Sequence, residues 1–156
     1  MRLPLLTAAI ALLHSGAAAR GQGVPEISLG PIEAKLLYKT TGRLSDNLLG
    51  ESEETFLLNA VIGEGAAEEP SDDVVVLVPL QSEGEQFAEE PVDLWAEDAE
   101  GNVIARRSFD TVATSGVGDE YKALLLQDVT CAGTIRLHAE FRYYKRSATL
   151  NFECGE

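Results

Sequence analysis

The chain has 156 residues, and its 26 acidic side chains against 12 Lys and Arg give a formal net charge of -14 at pH 7. A field of that sign repels nucleic acid and anionic membrane surfaces, which argues against both as partners. The charge has two readings, simple solubility outside the cell or attraction of a cationic partner or metal ion.

Residues 1–19 have the layout of a secretory signal peptide. Arg2 gives a charged start, an apolar run extends from Leu3 to Leu13, and Ala17, Ala18 and Ala19 supply an A-x-A cleavage site. No cysteine lies near that site, which argues against a lipoprotein anchor, and no other apolar stretch approaches ~18 residues. We therefore expect a soluble protein in the periplasm or outside the cell, where conditions are oxidising.

Cleavage after residue 19 of the 156 leaves 137 residues, which is the size of one domain with one core. Residues 20–31 contain glycines and Pro25 and are predicted to form a short N-terminal tether. Residues 32–156 are then expected to form a single domain without an internal boundary.

Two early segments alternate between apolar and polar residues, as half-exposed strands do. The first carries its apolar side chains at Ile32, Ala34, Leu36 and Tyr38. The second follows a polar loop over residues 40–54 and carries them at Phe56, Leu58, Ala60 and Ile62.

Residues 74–78 are β-branched and apolar almost without interruption, which predicts a well-covered strand. Pro79 lacks an amide N–H and is expected to end ladder pairing there. The segments 81–91 and 110–120 are predicted to be loops, and residues 121–129 supply a strand through three consecutive leucines.

A hairpin is predicted over residues 93–106, with its turn at 99–101. In the expected register Leu94 faces Ala105, and Asp93 faces Arg106. Trp95 then lies on the face opposite Leu94, where a lone Trp is more often a core anchor or a sheet cover than a ligand platform.

The C-terminal hairpin has the most readable register in the chain. Centring it between Arg142 and Tyr143 pairs Ile135 with Leu150 on the apolar face and His138 with Ser147 on the polar face. We expect a four-residue loop over residues 141–144, since the two central residues are poor formers of a two-residue turn.

The same register places Cys131 opposite Cys154 on the core-facing side, at the open end of the hairpin. In an oxidising compartment these two residues are expected to form a disulfide. The bridge would stabilise the fold by roughly 3 kcal/mol in the chain-entropy model.

About eight strands with regularly spaced turns and no helix outside the signal predict an all-β fold. The expected architecture is an antiparallel two-sheet β-sandwich, immunoglobulin-like with Greek-key connections. The immunoglobulin cysteine spacing is absent, so the term describes architecture and not kinship.

Few residues carry recognisable chemistry. His138, Ser147 and nearby Glu140 offer the residue types of a hydrolase, but one regular hairpin face lacks a pocket and an oxyanion hole. His14 lies in the predicted signal peptide, which leaves His138 and two bridged cysteines in the mature chain, and these cannot form a zinc site. Weak calcium binding remains an alternative, because the loop 63–73 is rich in hard oxygen ligands. The candidate ligands are Glu64, Glu68, Glu69, Asp72 and Asp73.

Three stretches resemble small exported bacterial proteins of unassigned function. They are IGEGAAEEPSDDVVVLV at residues 62–78, DVTCAG at 128–133 and the terminal FECGE at 152–156. The resemblance covers most of the predicted mature chain and implies a bacterial, exported, single-domain protein, without an activity that transfers to any residue.

Together these features predict a binding or interaction module without enzymatic activity, cofactor or membrane insertion. Its most promising contact surface is the acidic loop, through Glu64, Glu68 and Glu69, facing a cationic protein partner or, as the alternative, calcium. The second alternative is a hydrolase that uses His138 and Ser147.

Overall fold

In a computed structural model, the chain is described over residues 26–50, 54–58, 60–63, 67–117 and 120–154. The predicted signal peptide lies outside these residues. The strands are β1 Ser28–Leu29, β2 Glu33–Leu37, β3 Glu54–Leu58, β4 Asp73–Gln81, β5 Gln86–Ala88, β6 Val92–Glu97, β7 Val103–Phe109, β8 Val112–Thr114, β9 Glu120–Leu126, β10 Thr134–Phe141 and β11 Tyr144–Glu153. A 3-10 turn covers Ala60–Ile62.

Two sheets pack face to face. In the four-stranded sheet, β4 is central, with β9 on one side and β1 and β2 end to end on the other. The five-stranded sheet has the order β3-β11-β10-β6-β7. Strands β5 and β8 pair only with each other, within the connections that the sequence predicts as loops.

This arrangement confirms the predicted two-sheet β-sandwich with immunoglobulin-like architecture. Strands β2, β4 and β9 correspond to A, B and E of that fold, and β6, β10 and β11 correspond to C, F and G. The described chain has more strands than the expected eight. One pair departs from the antiparallel rule, because β3 runs parallel to β11.

The core lies between the sheets and consists of alternate residues from each. The largest fully buried side chains are Phe141, Leu29, Leu36, Leu94, Leu126, Ile135, Leu137, Leu150, Val74, Val76, Val78 and Val92. Full burial of one such side chain is worth about 1.5 to 3 kcal/mol, so this set is the main source of stability. The inward positions of the predicted alternation, such as Ala34 and Leu36, are correct.

The chain enters the sandwich inside the segment predicted as a tether, since Ser28 and Leu29 pair with Gln81 and Leu80. Gly30 then separates β1 from β2 and donates its N–H to the carbonyl of Pro79, 2.9 Å away. A Cβ atom at position 30 would lie 2.6 Å from Pro79 Cγ, so only glycine fits without a shift.

The prediction that Pro79 ends pairing is wrong. Strand β4 continues to Gln81, with Pro79 opposite Tyr121 of β9. The proline lacks only a donor, and its carbonyl still accepts the Gly30 N–H, so the ladder survives one missing hydrogen bond.

The predicted register of the C-terminal hairpin is confirmed throughout the paired strands, from Thr134 opposite Asn151 to Phe141 opposite Tyr144, although the ladder begins three residues after the predicted start at Cys131. The expected four-residue loop is wrong. Only Arg142 and Tyr143 form the turn, because Arg142 adopts a positive φ of 55°, a conformation that L residues rarely adopt.

Cys131 and Cys154 form the predicted disulfide, with their Cα atoms 5.4 Å apart. Their predicted core-facing position is wrong, because both residues are exposed. The ladder ends at Thr134, and Gly133 at φ 73° turns the chain, so the bridge lies beyond the core at the end of the sheet.

The register predicted for the hairpin of β6 and β7 is wrong by two residues. Ala96 pairs with Ala105, and Trp95 pairs with Arg106. The turn accounts for one of the two residues, because Glu97 pairs with Val103 and Asp98 donates its N–H to the Asn102 carbonyl. A bulge near Glu97 accounts for the other, and alternation alone does not reveal it. The Asp93–Arg106 ion pair nevertheless forms diagonally, at 3.1 Å.

The second alternating segment is shorter than predicted, and its phase is wrong in β3, because Leu57, on the opposite side of the predicted alternation, is 3% exposed and lies in the core. Strand β3 ends at Leu58, and the 3-10 turn at Ala60–Ile62 replaces the expected end of the strand. Ile62 is therefore 61% exposed, whereas Ala60 remains buried.

Candidate interaction surface

The outer face of the five-stranded sheet is polar. Four strands contribute one side chain each to a single row across it, because Arg106 pairs with Trp95, Trp95 with His138, and His138 with Ser147. On the next row Lys145 and Glu140 form an ion pair at 3.1 Å. Polar residues at these positions are what a sheet with one wet face requires.

Trp95 is half-buried on this face and held by its neighbours. Its ring stacks on the His138 ring with centroids 4.9 Å apart, and its Nε1–H donates to Glu97 Oε1 at 2.9 Å. The guanidinium of Arg106 lies 5.9 Å from the indole centroid. These contacts match the prediction of a sheet cover better than that of an open ligand platform.

His138 does not form the hydrogen bond that a catalytic base needs. Its Nε2 lies 3.6 Å from Glu97 Oε2 and has no hydrogen-bond partner. No hydrogen bond in the described chain joins its ring to the Ser147 hydroxyl. A surface pocket of about 310 Å³ is nevertheless lined by both residues together with Trp95, Glu140 and Lys145, so the expectation that this face lacks a pocket is wrong.

The acidic loop is tied to the fold by its carboxylates. Glu69 accepts hydrogen bonds from the Thr41 hydroxyl and from Arg43 Nη2, the latter at 3.0 Å. Glu68 is more exposed and lies 3.8 Å from the same Arg43. Folding therefore accounts for Glu69, which the sequence alone leaves unexplained.

The other two described carboxylates of this loop also have partners. Asp72 forms an ion pair with Lys39, and Asp73 Oδ1 accepts the Asp128 backbone N–H at 3.1 Å. Glu64 lies outside the described residues. Among the residues that are described, no group of three or more His, Cys, Asp or Glu has an arrangement that could hold a metal ion. Calcium binding and partner contact through this loop stay predictions.

The outer face of the four-stranded sheet has the opposite character. Its outward positions on β2, β4 and β9 are largely apolar, and we name six of them the apolar face. The apolar face consists of Leu37, Val75, Leu77, Tyr121, Ala123 and Leu125. Cross-strand pairing makes it continuous, since Val75 lies opposite Leu125 and Leu77 opposite Ala123.

The prediction that residues 74–78 form a well-covered strand is therefore wrong on one side. Val74, Val76 and Val78 are buried in the core, whereas Val75 and Leu77 are only half-buried. Leu125 is 44% exposed. A near-continuous apolar strand is typical of sheets covered on both faces, and the described chain covers only one face here.

The flank of the apolar face is nearly neutral. Glu33 and Lys35 lie on its β2 side and form an ion pair at 3.2 Å. The four strands of this sheet contain two cations, Lys35 and Lys122, and three acids, Glu33, Asp73 and Glu120, a net charge of -1. The chain as a whole carries -14, so most of the acidic excess lies elsewhere.

Side chains close the edges beside this face. On the free side of β2, Asn47 Oδ1 accepts the Ala34 N–H, and Ser45 Oγ accepts the Leu36 N–H, each at 2.9 Å. At β9, Arg107 Nη1 donates to the Ala123 carbonyl at 3.3 Å. A partner that reached this sheet from the β2 side would therefore meet its face rather than an open strand edge.

The sequence already contained the signal for the apolar face. The outward positions of β4 and β9 interrupt the alternation with Val75, Leu77 and Leu125. From sequence alone these positions are indistinguishable from those of a strand buried on both sides. Only the sheet order shows that no described element packs over them.

No helix in the described part of the chain has the length and apolar character needed to cross a membrane. No protein-family model matches the sequence. A search of curated proteins likewise gives no match.

Solved structures give distant similarities. One is the ligand-binding region of serine-glutamate repeat protein A of Enterococcus faecium, with 11% identity and a TM-score of 0.30, over 53% of this chain and 83% of that one. Another is an immunoglobulin-like protein of Pseudomonas aeruginosa, with 14% identity and a TM-score of 0.35, over 81% of this chain and 97% of that one. The assignment of the fold rests on the strand order of this chain.

Proposed function

We propose that the protein is an exported, non-enzymatic binding module that holds a protein partner on the apolar face. One observation carries this proposal. The outward positions of β4 and β9, where a half-exposed sheet normally places polar residues, are occupied by Val75, Leu77, Ala123 and Leu125.

The hydrophobic effect explains how such a face would act. Removing apolar surface from water is worth about 25 cal/mol per Å², and the fold itself gains little of this from half-exposed side chains. A contiguous exposed apolar patch with a polar rim is typical of protein contact sites. Glu33 and Lys35 supply such a rim along β2.

Export is supported by the disulfide and by the predicted signal peptide. A bridge between Cys131 and Cys154 requires an oxidising compartment to form and persist. The periplasm and the cell exterior both meet that requirement.

Site-specific photo-crosslinking in an envelope extract of the producing cell would test the proposal. A photoreactive phenylalanine analogue at position 125 should yield discrete cross-linked species. The same analogue at Thr149, on the outer face of the five-stranded sheet, is the matched control and should yield none. A second substitution, Leu77→Glu, should abolish the cross-links from position 125, because it places a carboxylate in the apolar contact directly opposite the like-charged Glu33.

The alternative outcome of this experiment is partner contact through the acidic loop, residues 63–73, instead of the apolar face. The same analogue at position 68 reports on a cationic partner, whose cross-linking should fall steeply with salt. Cross-links from position 68 alone would transfer the binding surface to the acidic loop and refute the apolar face. A hydrolase activity abolished by His138→Ala and Ser147→Ala would overturn the non-enzymatic reading.

A further inference from the structure

The sequence itself offers little to cover the apolar face. After the predicted cleavage, the N-terminal residues outside the described part are 20–25, with the sequence RGQGVP. The internal undescribed stretches are one to three residues long, such as ESE at 51–53 and EGA at 64–66. None of them carries enough apolar surface to replace water over Val75, Leu77 and Leu125. A second molecule can cover this face, because it brings apolar surface that the described residues do not supply.

We propose that this molecule is a second copy of the same chain, packed through the apolar face about a two-fold axis. The inference rests on the proposed function, because it names an occupant for the same surface. A two-fold interface is isologous, so one patch must be complementary to itself. The flank of the apolar face meets this requirement with one acid and one base, Glu33 and Lys35, on the same strand.

The low net charge of the four-stranded sheet favours a second copy of the chain as the occupant of the apolar face. The four-stranded sheet has a net charge of -1, as counted above, so two copies meet with little repulsion across the contact. The remaining acidic excess lies on other parts of the chain and is screened beyond a Debye length, about 8 Å at physiological salt. Two such sheets pack naturally face to face at about 10 Å, as they do within a β-sandwich.

The size of the face sets the expected strength. Three strands spaced about 4.8 Å apart and some seven residues of about 3.3 Å each give a footprint of roughly 300 Å² per copy. Stable interfaces bury about 800 Å² per partner, so the dimer is expected to be weak and reversible. Its population must rise with protein concentration.

Sedimentation equilibrium of the purified protein over a wide concentration range is the first test. The weight-average mass of the wild type should rise from the monomer towards the dimer as concentration increases. Leu125→Glu should weaken the association at least tenfold, because each copy would bury a carboxylate against apolar side chains. Thr149→Glu, on the opposite outer face, is the matched control and should behave as the wild type.

A charge swap separates self-recognition from simple stickiness. Glu33→Lys and Lys35→Glu should each weaken the dimer, since each gives both copies the same charge at the rim. The double variant Glu33→Lys, Lys35→Glu restores one acid and one base and should restore the dimer. Equal melting temperatures of all variants would exclude a folding defect as the cause.

The outcomes distinguish this inference from the proposed function. A wild type that stays monomeric at every concentration, while position 125 still cross-links another protein, overturns the second copy and keeps the binding module. A monomer without cross-links at position 125 overturns both. A double swap that fails to restore association refutes the two-fold pairing of Glu33 with Lys35.

Discussion

The two outer faces of the sandwich differ in the chemistry of their outward side chains. On the five-stranded sheet, outward charges are paired with each other, as in Lys145–Glu140 and Arg106–Asp93. On the four-stranded sheet, the outward positions at the centre are Val75 and Leu77, which the described chain leaves half-exposed. Both sheets bury their inner faces in one core, so folding does not require this difference.

The difference shows where contact with another molecule is expected. A polar outer face is the default for an antiparallel sheet, because it keeps the protein soluble and fixes the strand register. The five-stranded sheet follows that default, and its Trp95 is stacked and hydrogen-bonded within the face. The four-stranded sheet departs from it at neighbouring positions, which form one continuous surface.

Removing the disulfide should produce one of the two largest losses of stability and should act on the five-stranded sheet. The double variant Cys131→Ala, Cys154→Ala is expected to lose about 2 to 5 kcal/mol of unfolding free energy, since the bridge restrains the unfolded chain around β10 and β11. Denaturant unfolding measures the loss. A reducing agent should lower the stability of the wild type to that of the variant; equal stability of both proteins without it would contradict the prediction.

Adjacent leucines of β9 provide the sharpest contrast between inside and outside. Leu126 is 1% exposed and Leu125 is 44% exposed. Leu126→Ala should cost about 2 to 5 kcal/mol, because it leaves a cavity in the core. Leu125→Ala should change stability by no more than about 0.5 kcal/mol while weakening the contact on the apolar face. Equal losses in thermal or denaturant unfolding would show that the apolar face serves the fold.

Sequence reasoning succeeded where local pairing decides the structure. The strand pairing of the C-terminal hairpin is predicted residue by residue, because its faces separate by chemistry and a slip of one residue would mix them, whereas its loop and the facing of its cysteines are not. The register of the hairpin of β6 and β7 is missed by two residues, one from the centre of its turn and one from a bulge near Glu97 that leaves no signal in the alternation.

The apolar face shows why the candidate site was harder to predict than the fold. Periodicity tells which side chains share a face, but not whether another element covers that face. The run at residues 74–78 was therefore interpreted as buried on both sides. The ion pairs Arg43–Glu69 and Lys39–Asp72 cannot be predicted from the sequence pattern either, since they join loops far apart in the sequence.

Opening the free edge of β2, beside the apolar face, should cause an intermediate loss of unfolding free energy. Asn47→Ala removes the oxygen that accepts the buried Ala34 N–H, which should cost about 1 to 3 kcal/mol. Asn47→Asp keeps an acceptor oxygen and is the matched control. Hydrogen exchange at Ala34 should accelerate in the first variant and not in the second. Unchanged protection in both would mean that the loop does not close this edge.

The smallest predicted effect is a pH dependence of stability, and it arises in the five-stranded sheet. In the turn between β6 and β7, the Asn102 side chain and backbone N–H both donate to Asp98, at 2.9 and 2.8 Å. These hydrogen bonds, the side-chain one first, lower the pKa of Asp98 below its ordinary value of 3.8.

Because the carboxylate is favoured in the folded state, the stability contributed by Asp98 is complete above pH 3.8 and is lost as the pH falls through the lowered pKa. Asp98→Ala should therefore melt slightly below the wild type at neutral pH, and the gap should shrink as the solution is acidified past that point. Dimerisation through the apolar face should be unchanged in this variant at neutral pH, because the turn lies on the other sheet. A melting gap that persists undiminished in acid would show that Asp98 acts through the shape of the turn and not through its charge.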